Sequence, residues 1–74
     1  MKAVLDASAL LALLRREPGA DVVARAIDEG AGASVVNVAE LVSVLIRDGF
    51  AADAAMTLAS RLPIVLFDVD LDLA

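Results

Sequence analysis

Short apolar segments alternate with longer helix-forming segments along the chain. In the first segment, Lys2–Leu5, all residues after the lysine are apolar and no alternation marks an exposed face, which is typical of a strand buried in a parallel sheet. Residues 33–36 and 64–67 predict two further strands. Between the strands we expect four helices, over 9–16, 20–28, 38–47 and 51–61. This order predicts an α/β fold in which helices flank a three-stranded parallel sheet.

Two predicted helix starts carry residues that also bear on chemistry. Ser8 is expected to cap the first helix and Asn37 the third. The stretch from Asn37 to Glu40 matches a capping box, in which a glutamate in the first turn bonds back to the cap residue. The acidic residues 68–74 predict the start of a fifth helix, and the end of the chain within it favours an incomplete domain.

Composition narrows the chemistry that is open to this chain. Its 74 residues allow one domain, and eleven acidic against six basic residues give a net charge of −5. This charge opposes attraction to a phosphate backbone, so a nucleic-acid substrate would require divalent cations. There is no cysteine and no histidine, which leaves carboxylates and hydroxyls. No apolar stretch is long enough to span a membrane, so we expect a soluble, cytoplasmic protein.

Two acidic residues lie at the carboxyl ends of the predicted strands, where parallel α/β sheets bind their ligands. Asp6 closes the first strand, and Glu40 follows the second strand in the first turn of its helix. The carboxyl ends of neighbouring strands are close enough for such residues to share one Mg²⁺ or Mn²⁺ ion. Asp6 is equally consistent with a plain turn residue. The spacing between Asn37 and Glu40, taken alone, favours a capping role for Glu40 over metal binding.

Several stretches resemble the opening of PIN domains of the VapC toxin type. They are residues 4–14 (Val-Leu-Asp-Ala-Ser-Ala-Leu-Leu-Ala-Leu-Leu), 17–20 (Glu-Pro-Gly-Ala), 35–41 (Val-Val-Asn-Val-Ala-Glu-Leu), 62–64 (Leu-Pro-Ile) and the acidic segment from Phe67 to Ala74. The pieces occur in the expected order and at the expected distances. The resemblance therefore covers essentially the whole chain.

The resemblance implies an endoribonuclease toxin of a type II toxin–antitoxin system. It implies a sheet with helices on both faces, dependence on Mg²⁺ or Mn²⁺, RNA as the substrate, a homodimer and a partner antitoxin protein. Carried over by motif, Asp6 would be the first metal-binding acid and Glu40 the second, and both would be catalytic. Ser8 would support the ligand or the water of the metal. The remaining acids of the family lie on later elements, so residues 1–74 would form the N-terminal portion of a single PIN domain.

Two alternatives remain open at this point. The chain is also consistent with an inactive PIN remnant that acts only in dimerisation or antitoxin binding, through exposed aliphatic helix faces. More distantly, Asp68 and Asp70 after the third strand are similar to the Asp-x-Asp motif of haloacid-dehalogenase-type phosphatases. That motif is followed by Gly-Thr in the family, where this chain has Leu71-Asp72.

Overall fold

Three short strands form one parallel sheet in the computed structural model, which describes residues 2–68. Strand β1 is Ala3–Val4, β2 is Ala31–Ser34 and β3 is Val65–Phe67. Their order across the sheet is β1-β2-β3, so β2 is the central strand of the three. The predicted α/β architecture with a three-stranded parallel sheet is confirmed.

Four helices connect and flank these strands. They are α1 (Ala7–Leu14), α2 (Ala20–Asp28), α3 (Val35–Arg47) and α4 (Ala52–Ser60). The bounds predicted for α2 are confirmed at both ends, and those of α4 to within one residue. No helix in residues 2–68 is both long and apolar enough to cross a membrane. The fifth helix expected over 68–74 lies, beyond its first residue, outside the described residues.

The prediction of the second strand at 33–36 is wrong by two residues. β2 pairs from Ala31, which lies opposite Ala3, to Ser34, which lies opposite Phe67. Val35 and its β-branched neighbour, on which the prediction depended, instead form the start of α3. Pairing with two neighbours and burial of small side chains decide the position of a central strand, and they override β propensity here.

The core between sheet and helices is aliphatic, as the composition indicates. Leu10 of α1 and Leu41 of α3 are fully enclosed. Helix α1 contacts both α2 and α3, and α3 contacts α4, so the four helices pack as one continuous group. The remaining buried members of the cluster are Leu5, Ala31, Ala33, Leu45, Ala55 and Ala59.

The two faces of the sheet differ in exposure. Ala3 and Leu5 pack on the core cluster. Val4, which points to the other face, is 61% exposed, and so is its counterpart two strands away, Val65, at 57%. On the face that carries Leu5 and Ala33, helices of the described chain cover β1 and β2, whereas Leu66 of β3 on the same face is 56% exposed.

Candidate metal centre

The carboxyl ends of β1 and β2 lie side by side at one edge of the sheet. The backbone N–H of Leu5 donates to the carbonyl of Gly32 at 2.8 Å, so the pairing continues past Val4. This register brings Asp6 level with Ser34, the last residue of β2. Neighbouring strands are about 4.8 Å apart. Asp6 and the start of α3 therefore leave the sheet as direct neighbours.

Asp6 caps helix α1 with one carboxylate oxygen. Its Oδ1 accepts a hydrogen bond from the backbone N–H of Ala9 at 2.9 Å. The prediction of Ser8 as the cap is therefore wrong, because β1 ends at Val4 and α1 already begins at Ala7. The side chain of Asp6 is exposed, and its second oxygen makes no hydrogen bond within residues 2–68. That oxygen is available to a cation or to water.

Ser8 lies in the first turn of α1, two residues beyond Asp6. It is exposed, and its hydroxyl makes no hydrogen bond within the part of the chain that is described. This position leaves the hydroxyl on the solvent side of the same helix end as the Asp6 carboxylate. Its expected role in supporting the metal ligand stays a prediction.

Ser34, which the sequence did not single out, caps helix α3. Its Oγ accepts a hydrogen bond from the backbone N–H of Asn37 at 3.1 Å, and Ser34 itself is buried. Asn37 is thus the third residue of α3 and not its cap, so the predicted capping box is wrong. The sequence signal for the Ser34 cap was a serine directly before the apolar run that forms α3.

Glu40 lies in the second turn of α3, where the first turn was predicted. It is about 9 Å along the helix axis from Ser34. Glu40 is exposed, and it forms no ion pair with another residue in 2–68. Freed from capping, its carboxylate can serve as a ligand near the same edge of the sheet.

Helices α1 and α3 run side by side from this edge. They contact each other, and their far ends are joined by an ion pair between Arg15, which follows α1, and Asp48, which follows α3. Their near ends begin at Asp6 and Ser34 on neighbouring strands. The two helices are therefore held together at both ends.

The donor set at this edge is chemically suited to a hard divalent cation. Asp6 and Glu40 offer carboxylate oxygens, and Mg²⁺ is commonly held by one or two carboxylates while it keeps several waters. Residues 2–68 contain no group of three or more acidic, histidine or cysteine side chains placed to bind a metal. Within those residues the site is thus at most a two-carboxylate site.

The acids of the alternative phosphatase motif lie only partly within the described residues. Asp68 directly follows β3 and is exposed. Asp70 and Asp72 lie outside the described residues. Asp68 thus also follows the carboxyl end of a strand, at the edge where β3 pairs with Ser34.

Comparison with known proteins supplies the family. A family model described as PIN domain matches residues 3–74. Neither the curated proteins nor the solved structures include a match to the chain. PIN domains are nucleases that generally depend on divalent metals and act on RNA or DNA. The match, the parallel sheet and the acids that follow its strands agree, and the chain belongs to the PIN-domain family.

Proposed function

We propose that residues 1–74 form the N-terminal portion of a single PIN domain of the VapC toxin type, and that this domain is an endoribonuclease dependent on Mg²⁺ or Mn²⁺. The observation that carries the proposal is the register of β1 and β2, which brings Asp6 level with the start of the helix that bears Glu40. PIN domains are generally divalent-metal-dependent nucleases, and carboxylates at the strand ends are the ligands that such a metal would use.

In this proposal Asp6 and Glu40 hold the cation, and both are catalytic. The second oxygen of Asp6 faces solvent while the first stays on Ala9, so α1 fixes the orientation of the carboxylate. A bound cation would activate a water and neutralise charge that develops on the phosphodiester. Ser8 orients a ligand or a water of the metal from the same helix turn.

The charge of the chain supports the need for a cation. With a net charge of −5, the protein repels an RNA backbone unless positive charge is supplied at the site. The further acids of the family would come from elements that follow in the same domain. A toxin of this kind would act on cytoplasmic RNA and be held inactive by an antitoxin protein.

Exposed side chains on α3 support a homodimer. Val36 is 62% exposed and Ile46 is 43% exposed. With Ala39 and Ser43, which are also exposed, they are spaced by three and four residues and form one stripe along the helix. Such a stripe is the pattern by which two helices pack together. We propose that this stripe is where two copies of the chain associate.

Cleavage assays on the purified chain test the nuclease. With Mn²⁺, the chain is expected to cut a labelled RNA, whereas EDTA, Asp6→Ala and Glu40→Gln each reduce cleavage to the background level. Asp21→Asn is the matched control, because Asp21 lies in the first turn of α2 away from the strand ends. A DNA strand of the same sequence serves as the control for substrate class.

An inactive remnant is the second candidate, and one observation favours it. Residues 2–68 hold no cluster of three metal-binding side chains. If the chain neither binds Mn²⁺ nor cleaves RNA, but sediments as a dimer that Ile46→Glu dissociates, then its role is association only. Cleavage that persists undiminished in Asp6→Ala and Glu40→Gln would point to a contaminating nuclease.

A further inference from the structure

The side chain of Asn37 has no capping role in this structure. Ser34 caps α3, and Asn37 contributes only its backbone N–H to that cap. Asn37 is half-buried, and its side-chain amide makes no hydrogen bond within residues 2–68. An asparagine in a helix also costs stability relative to alanine. The polar side chain of Asn37 thus lies close to the carboxyl end of β2 and makes no hydrogen bond that would stabilise the described chain.

The side of α3 that carries Asn37 faces helix α1. About three full turns separate Asn37 from Asp48, so the two residues lie on nearly the same side of the helix. Asp48 forms an ion pair with Arg15, at the end of α1. Since α1 contacts α3 and Arg15 follows α1, the side of α3 marked by Asp48 is the side nearer α1.

Asn37 therefore lies at the end of the α1–α3 pair that is nearest the carboxyl ends of β1 and β2. The residue that caps α1 at that end is Asp6, whose backbone is level with Ser34. Glu40 lies three residues beyond Asn37, and side chains with this spacing are neighbours on a helix surface. Around the helix, Glu40 is rotated further from α1 than Asn37. Asn37 is accordingly placed between the two acids.

We propose that the side-chain oxygen of Asn37 is a third ligand of the cation that Asp6 and Glu40 bind, an inference that rests on the function proposed above. An amide carbonyl is a hard, neutral oxygen donor of the kind that accompanies carboxylates around Mg²⁺, Mn²⁺ and Ca²⁺. It adds a ligand without adding charge repulsion between two nearby carboxylates. The same position explains why an unfavourable residue for a helix occurs in its first turn.

Binding of Mn²⁺ to the full chain tests this inference without any need for activity. The signal of free Mn²⁺ in electron paramagnetic resonance gives the dissociation constant directly. Asn37→Ala is expected to raise it about tenfold or more, the loss that removal of even an outer-shell partner causes. Asn37→Asp is expected to lower it, because the new ligand is charged. Circular dichroism confirms that each variant folds.

A second aspartate variant provides the matched control. Thr57→Asp adds the same charge at an exposed position of a different helix, α4. It is expected to leave the Mn²⁺ affinity within a factor of about two, the scale of an exposed charge in water. Equal tightening by Thr57→Asp and Asn37→Asp would show a general charge effect and overturn the ligand role.

The two proposals fail in different ways. If Asp6→Asn abolishes Mn²⁺ binding while Asn37→Ala retains the affinity of the parent chain, the inference on Asn37 is overturned and the proposed nuclease site stands. If the parent chain itself binds no Mn²⁺, both are overturned.

Discussion

Replacing Asp6 by asparagine removes its negative charge and keeps a side chain that caps a helix equally well. Replacing it by alanine removes both the charge and the cap. Asp6 has one oxygen on the backbone N–H of Ala9 and a second oxygen open to solvent. The two variants therefore separate the structural role of the residue from its proposed role as a metal ligand.

The magnitude of the structural role follows from the hydrogen bond to Ala9. At 2.9 Å it is a well-formed N-cap, and its loss costs about 1 kcal/mol, within a range of roughly 0.5–2. In a domain of this size that loss lowers the melting temperature by about 4–8 °C. Asp6→Ala is expected to show this decrease without metal, whereas Asp6→Asn is expected to melt close to the parent chain.

Melting curves with and without Mn²⁺ form the assay. A ligand that binds only the folded chain, present at about 100 times its dissociation constant, stabilises the fold by about 2.7 kcal/mol. This corresponds to an increase of more than about 10 °C for the parent chain. For both Asp6 variants the increase is expected to vanish, since each lacks the carboxylate. Circular dichroism at the helix wavelength follows both effects in one experiment.

Two results would refute this reasoning. An Mn²⁺-induced increase that Asp6→Asn retains in full would show that the cation does not use Asp6. A loss of stability in Asp6→Asn as large as that in Asp6→Ala would show that the charge, and not the cap hydrogen bond, stabilises α1.

Three further predictions concern the stability of the chain in urea. Leu41→Ala is expected to cost about 2–5 kcal/mol, because Leu41 is fully enclosed, and to leave much of this small domain unfolded; Val22→Ala, at an exposed position of α2, serves as the control. Arg16→Gly is expected to stabilise the fold by about 0.5–1 kcal/mol, because Arg16 has a left-handed backbone with a φ of 54°; a loss of stability would contradict that conformation. Arg15→Ala is expected to cost less than about 1 kcal/mol, because the side chains of the pair with Asp48 are each 42% exposed, and the difference should disappear at high salt.

The order of helices and strands could be predicted because the apolar runs and the helix breakers leave few options. Helix α2, bounded by Gly19 and Glu29, was predicted at both ends. The start of α1 was not, because Asp6 and Ser8 are equally good caps and the choice depends on where β1 stops pairing with β2. Local propensity cannot supply that information.

The position of Asp6 at the strand ends follows from the sequence, whereas its role and that of Glu40 in metal binding stay predictions. A parallel sheet brings Asp6 and the helix after β2 to the same edge, and this follows from the pattern of apolar runs alone. The shift of β2 towards Ala31 could not be predicted, because it depends on tertiary pairing with two other strands. That shift moved Glu40 from the first to the second turn of α3 and released Asn37 from its predicted role as a cap.

The composition of β2 has a consequence for how this chain can vary. Ala31 and Ala33 are enclosed almost completely between two strands and the helix layer, so a larger side chain at either position would have to push a helix away from the sheet. Val35, only two positions after Ala33, is 46% exposed, so we expect it to tolerate most replacements. The small side chains of β2 thus set how closely the helices can pack against the sheet. In related sequences we expect β2 to keep small residues while exposed neighbouring positions vary.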